Sequence, residues 1–303
     1  MTVSEQRSES SFLRGIWSIN ASMFSFTVGD IILKVFGRYF PPIELIFIRS
    51  VVIAAALAIA MIATRRLPRM RTATAPSMLA RSLFDCINIF TFTVAVVHMQ
   101  LPEIYAVLLT APFMLTILAT VFFHEPVGHR RWLAIIGGFC GVLLVIKPNP
   151  FALDKWAFLA LACAAAGAAR DTVTRTIDQK TPAIEVTFYS AVFAAAGSLA
   201  FGIHEWVPLT QPLHLLVIVQ AASYLVGMLL LVHACRIAPL SVVAAFRYTL
   251  LIWGGLAGYF IFGQVPDLWS IIGTALIATC GLYTFHREAV RRRPVASNVV
   301  ALN

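Results

Sequence analysis

A chain of 303 residues that is 59% hydrophobic and only 12% charged, with a mean hydropathy of +0.84, carries more apolar surface than a water-soluble fold of this size can bury. Bundled membrane spans account for it; two soluble domains do not. The net charge of +9 sits in short segments between apolar runs, which is a membrane topology signal and excludes a nucleic-acid-binding face, so the expected partners are the lipid bilayer and no nucleic acid.

Ten spans can be drawn, at roughly 12–35, 41–63, 76–98, 102–123, 130–147, 153–172, 182–204, 212–234, 239–262 and 267–286. Each is about long enough to cross a hydrocarbon layer at 1.5 Å per residue. Prolines at 41, 42, 102, 182, 212, 239 and 266 stand near span starts, where a missing N–H costs nothing. Sixteen Lys and Arg residues fall at one set of span ends. Only Lys34, Arg38, Lys147 and Lys155 fall at the other. This asymmetry predicts that both termini are cytoplasmic, with residues 1–11 and 288–303 as polar tails, the stretch after Arg293 unstructured. Cys86, Cys140, Cys163, Cys235 and Cys280 lie inside apolar runs without metal-ligand spacing and read as small apolar fillers, so no metal site is expected.

The chain is a duplication. Asp30, Lys34, Pro41 and Glu44 recur as Asp171, Arg175, Pro182 and Glu185, all at an offset of 141. Pro102 recurs as Pro239 and Trp132 as Trp269, at an offset of 137. Five spans per half is an odd number, so the second half must lie upside down relative to the first. The predicted fold is all-α and integral to the membrane: ten helices as two inverted five-helix repeats, residues 12–148 and 153–287. Inverted repeats place a substrate site near the midplane between the halves and let two mirror-related packings exchange.

The fourth and fifth spans carry His124-Glu125-Pro126 and the glycine-rich Gly137-Gly138-x-x-Gly141, and here the sequence resembles the drug/metabolite transporter superfamily with two EamA-type halves. The resemblance runs over about residues 12–287. Gln264 stands where the second acidic elbow residue is usual. Within the superfamily, the run from Tyr105 to Pro112 is similar to bacterial carriers for S-adenosylmethionine and riboflavin. What the resemblance implies is a carrier in a bacterial inner membrane for a small polar organic metabolite, charged, ring-containing and cofactor-like. Export of amino acids or drugs is the alternative, and a membrane enzyme acting on a lipid is the reading from another class. A homodimer is compatible with either.

Symmetry separates scaffold from site. Asp30 with Lys34, and Asp171 with Arg175, read as i,i+4 pairs at solvated helix ends, and Glu44 and Glu185 as first-turn carboxylates at equally solvated ends. Polar residues without a repeat counterpart are the better substrate-binding candidates: Arg81, Asp85 and Asn88 on one face of the third span, Arg49 in the second, and Arg247 and Tyr248 in the ninth. Tyr105 and Tyr224 add hydrogen bonds and an aromatic wall. No nucleotide-binding loop, HExxH or nucleophile elbow occurs, so neither a cofactor nor catalysis is expected.

Overall fold

The computed structural model describes residues 3–65, 70–124, 128–147, 155–178, 180–200, 206, 214–237 and 246–300. These form helices α1 (Val3–Phe36), α2 (Pro42–Ala63), α3 (Met70–Ala73), α4 (Pro76–His98), α5 (Leu101–Leu108), α6 (Ala111–Phe123), α7 (His129–Ile146), α8 (Lys155–Thr174), α9 (Ala183–Ala200), α10 (His214–Ile237), α11 (Thr249–Phe262) and α12 (Leu268–Val300). With the one-turn α3 set aside and α5 and α6 counted as one broken rod, ten rods stand where the ten spans were expected. Seven are long and apolar enough to cross a membrane, and those at Trp132–Ile146, Thr249–Phe262 and Leu268–Thr284 are shorter. The chain is an all-α, multi-pass membrane protein. The stretch after Arg293 is helical as far as Val300, in place of the unstructured tail expected there, since Ala and Arg in the run leading into it are strong helix formers. The elbow Glu125-Pro126 and residues 239–245 of the ninth span lie outside the described residues.

Local chemistry fixes the helix ends. Proline opens α2, α4, α5 and α6 within their first two positions. His124 (φ +53°) closes α6 and Gly263 (φ +63°) closes α11, both in the left-handed cap conformation and 139 residues apart. The fourth rod breaks between α5 and α6. Pro112 has no N–H to continue the ladder, and Thr110 N bonds Val107 O at 3.1 Å in a tightened turn. The ninth tightens in the same way: Leu250 N bonds Arg247 O at 3.1 Å and Leu251 N bonds Tyr248 O at 3.0 Å. A threonine hydroxyl returns to the carbonyl three residues back at each tightened turn, Thr110 to Val107 and Thr249 to Phe246.

Packing obeys an exchange of halves. The most extensive contact joins α1 to α10, and the next joins α4 to α8. Exchanging α1 with α8, α2 with α9, α4 with α10 and α5/α6 with α11 turns one into the other. The same exchange turns α2–α10 into α9–α4, and it leaves α2–α9 and α7–α12 unchanged. The exchange reaches single bonds. Ser22 Oγ donates to Gly227 O at 2.6 Å, and Cys163 Sγ, 141 residues after Ser22, donates to Asn88 O, 139 before Gly227, at 3.4 Å.

The α7–α12 crossing rests on Gly141 and Gly273. A Cβ on Gly141 would stand 2.7 Å from Gly273 O, and one on Gly273 2.5 Å from Gly141 O. Gly141→Val should therefore lower the detergent melting temperature, at a cost of about 1–3 kcal/mol for overpacking. Gly255→Ala, with nothing within 4 Å, should not.

Candidate functional site

Two polar clusters form inside the bundle. In the first, the four-residue spacing of Arg81 and Asp85 turns both side chains from α4 toward α8 and α9. Arg81 Nε donates to Thr174 Oγ1 at 3.0 Å, and its Nη1 donates to Ser190 Oγ. Arg81 and Asp85 stand 3.8 Å apart, but the nearer cation is Arg170 of α8, whose Nη1 donates to Asp85 Oδ1 at 3.0 Å. Arg170 also holds Asp171 Oδ1 from Nη2 at 2.9 Å. Two arginines thus share two aspartates, which lowers the cost of burying Arg81 and Asp85, while Asp171 stays half-exposed.

The second cluster lies toward the opposite end. Asp30 is 7% exposed and accepts a hydrogen bond from Tyr105 Oη at 2.7 Å; Tyr105 is fully buried. Lys34, one turn on, does not pair with Asp30. Its ammonium donates to Val96 O and Met99 O, where it satisfies carbonyls that α4 leaves open at its C-terminus. Between the clusters, Arg49 of α2 is 5% exposed and lies over the Tyr224 ring of α10, 4.9 Å from its centroid. Tyr224 packs against the apolar cluster of Ile53, Leu57 and Ala191, the last beside the Ser190 that Arg81 holds, and a Cβ on Gly29, beside Asp30, would stand 3.9 Å from Tyr224 N. The clusters therefore meet around Tyr224.

Of the residues expected to bind substrate, Arg49, Arg81, Asp85, Tyr105 and Tyr224 converge on this region. Asn88 faces α8 instead, donating to Cys163 O at 2.7 Å, with Gly167 making room for its amide. Tyr248 packs against Gly281 of α12, its hydroxyl without a hydrogen-bond partner among the described residues. Arg247 is exposed in the turn before α11. Both i,i+4 pairs are replaced by other contacts: Asp30 bonds Tyr105 of α5, and Asp171 takes its neighbour Arg170 within α8. Glu44 and Glu185 are buried, not solvated. Arg170, one of the sixteen basic residues at the cytoplasmic set of span ends, stands opposite Gly29 in the repeat, and the lack of a polar counterpart is the sequence signal that selects it.

The Lys34 end of the bundle is fastened by further contacts. Leu101 N donates to Gln264 Oε1 at 3.1 Å, His98 stacks on Trp156 with centroids 3.5 Å apart, and Lys147 pairs with Asp267. The hydrogen bond from Lys147 holds the Asp267 carboxyl at about 2, below its ordinary 3.8. That clasp is complete above pH about 4 and is lost as pH falls through about 2.

In the first cluster, Arg170→Leu should destabilise the protein by roughly 1.5–3 kcal/mol, the range for hydrogen bonds to charged groups. Asp85→Asn should recover part of the loss in the double variant, because it removes the carboxylate left short of a partner. Thermal unfolding of the four proteins in one detergent checks this. Strict additivity would show that the two side chains do not interact.

Comparisons with known proteins give the same family twice over. The model of the EamA-like transporter family matches residues 13–147 and again 154–284. An S-adenosylmethionine uptake transporter of Rickettsia bellii is 28% identical over 58% of this chain and 61% of that protein. One from Rickettsia prowazekii is 22% identical over 91% of this chain and 94% of that protein. A riboflavin transporter of Rhizobium johnstonii is 25% identical over 76% of each, and a pseudopaline exporter of Pseudomonas aeruginosa is 21% identical over 84% and 89%. A crystal structure 15% identical in sequence superposes with a TM-score of 0.56, covering 94% of this chain and 98% of its own, and so shares the fold. With both halves matched, the chain belongs to the EamA-like transporter family.

Proposed function

We propose that this protein is a secondary carrier that moves a small polar organic metabolite across a bacterial inner membrane by alternating access. Its halves, residues 12–148 and 153–287, act as inverted repeats with both termini in the cytoplasm. S-adenosylmethionine is the favoured substrate, because two relatives that carry it match 91% and 58% of this chain. The observation that carries the mechanism is a pair of mirror-related contacts of unequal burial. Lys34 Nζ lies 5.6 Å from the Phe262 ring centroid, and Arg175 lies 5.9 Å from that of Phe123. Lys34 and Arg175 are repeat mates at an offset of 141, and Phe123 and Phe262 at 139. Lys34 is 2% exposed, whereas Arg175 is exposed. Repeats that exchange roles would exchange these two environments, opening one end of the bundle as the other seals. Tightened turns at matching places in both halves, here at 109–110 and 247–248, suit a binding site between repeats.

The riboflavin and pseudopaline relatives support a second reading, transport of another organic solute or its export. Purified protein in proteoliposomes decides between them. Labelled S-adenosylmethionine uptake should saturate and should accelerate when unlabelled substrate is loaded on the opposite side. Flux linear in concentration would replace the carrier with a channel, and a chemically altered product would replace it with an enzyme.

A further inference from the structure

Every other charge that meets around Tyr224 has an ion-pair partner: Arg81 and Arg170 take Asp85, and Arg170 also takes Asp171. Arg49 and Asp30 differ. Arg49 is 5% exposed and, among the described residues, makes neither an ion pair nor a hydrogen bond; the one ring it lies over is that of Tyr224. A ring contact accepts no hydrogen bond at full strength, so the five N–H donors of the guanidinium are left without acceptors among the described residues. Asp30 is 7% exposed and holds only the Tyr105 hydroxyl, so much of its acceptor capacity is unfilled. The two make no ion pair with one another, yet both border the same stretch of α10: Arg49 lies on the Tyr224 ring, and a Cβ on Gly29, beside Asp30, would stand 3.5 Å from Gln220 O and 3.9 Å from Tyr224 N. A third group belongs with them. Gln220, one turn before Tyr224 on the same face of α10, is 2% exposed, and its Nε2 has no acceptor among the described residues.

A buried cation, a buried anion and a buried amide donor, each short of partners, form a dipolar receptor. The ligand that completes it carries its own carboxylate and its own ammonium, held at fixed separation. We infer that Arg49, with Gln220 beside it, binds the carboxylate of an α-amino acid moiety while Asp30 takes the α-ammonium, Tyr105 holding Asp30 in place. This rests on the carrier reading and narrows it. Free amino acids and S-adenosylmethionine, whose methionine end is such a moiety, fit. Riboflavin, which has no carboxylate, does not.

The test measures binding to the full-length protein in detergent, by calorimetry, for S-adenosylmethionine and the common α-amino acids, each against its decarboxylated amine. The wild-type protein should prefer the carboxylate form by about ten- to a hundred-fold, the worth of a charge-assisted hydrogen bond. Arg49→Gln, checked for a monodisperse elution profile, should bind both forms equally, and Arg49→Lys should restore part of the preference. Equal binding of both forms by the wild type overturns the inference, and so does failure of every amino acid and S-adenosylmethionine to bind. The wild-type comparison needs no variant to fold. Saturable riboflavin counterflow without any binding of amino-carboxylates would leave the carrier standing and remove the receptor alone.

Discussion

A full charge held in hydrocarbon costs about 2.5–3.5 kcal/mol on insertion scales, and the interior of this bundle is arranged around that cost. Lys34 offsets it with the open carbonyls at the end of α4, and Arg170 with Asp85 and Asp171. Arg81 adds two hydroxyls to its aspartate. Each solution includes a partner from another helix, so every such charge ties two rods together. Arg49 and Asp30 are left with the weakest settlement, a ring face and a phenol. Charged groups that remain short of partners where the neighbouring charges are settled are where a solute can supply what the protein withholds.

The scaffold is symmetric and the chemistry is not. Backbone breaks, left-handed caps, the Ser22–Gly227 and Cys163–Asn88 bonds and the Lys34–Phe262 and Arg175–Phe123 contacts all come in mates. The polar residues around Tyr224 do not: Arg49 stands opposite Ser190, and Arg170 opposite Gly29. Small and large residues even trade sides across the relation. Gly167 of α8 receives Asn88, whereas Gly227 of α10 receives Phe26. Mated backbone lets two packings have similar energies, which an exchange between them requires. Unmated side chains let one asymmetric molecule be recognised from either side.

Much of this was legible in the sequence because apolar runs and the offset of 141 are periodic signals that need no tertiary knowledge. Asp85 and Arg81 followed from helix spacing alone. What could not be read was which neighbouring rod each polar group would meet. Asp30 and Lys34 satisfy the i,i+4 rule, yet each meets a partner across an interface: the Tyr105 hydroxyl reaches Asp30, and the open carbonyls at the end of α4 draw the Lys34 ammonium away. Asn88 and Tyr248 have the composition of site residues, but glycines at 167 and 281 open packing space for them. Glycine holes are visible only when two helices are brought together. Arg170 was masked by its closeness to a span end, where arginine ordinarily serves topology.

The exchange of two mirror-related packings is the central claim, and distances across the two ends test it most directly. Spin labels at Tyr39 and Val265 report the Lys34 end, and labels at His124 and Thr176 report the opposite one; all four residues are exposed. Pulsed electron resonance should give distributions that move in opposite senses when substrate is added, the first pair lengthening as the second shortens, or the reverse. Both pairs moving together, or neither responding to a substrate shown to bind, would contradict the account.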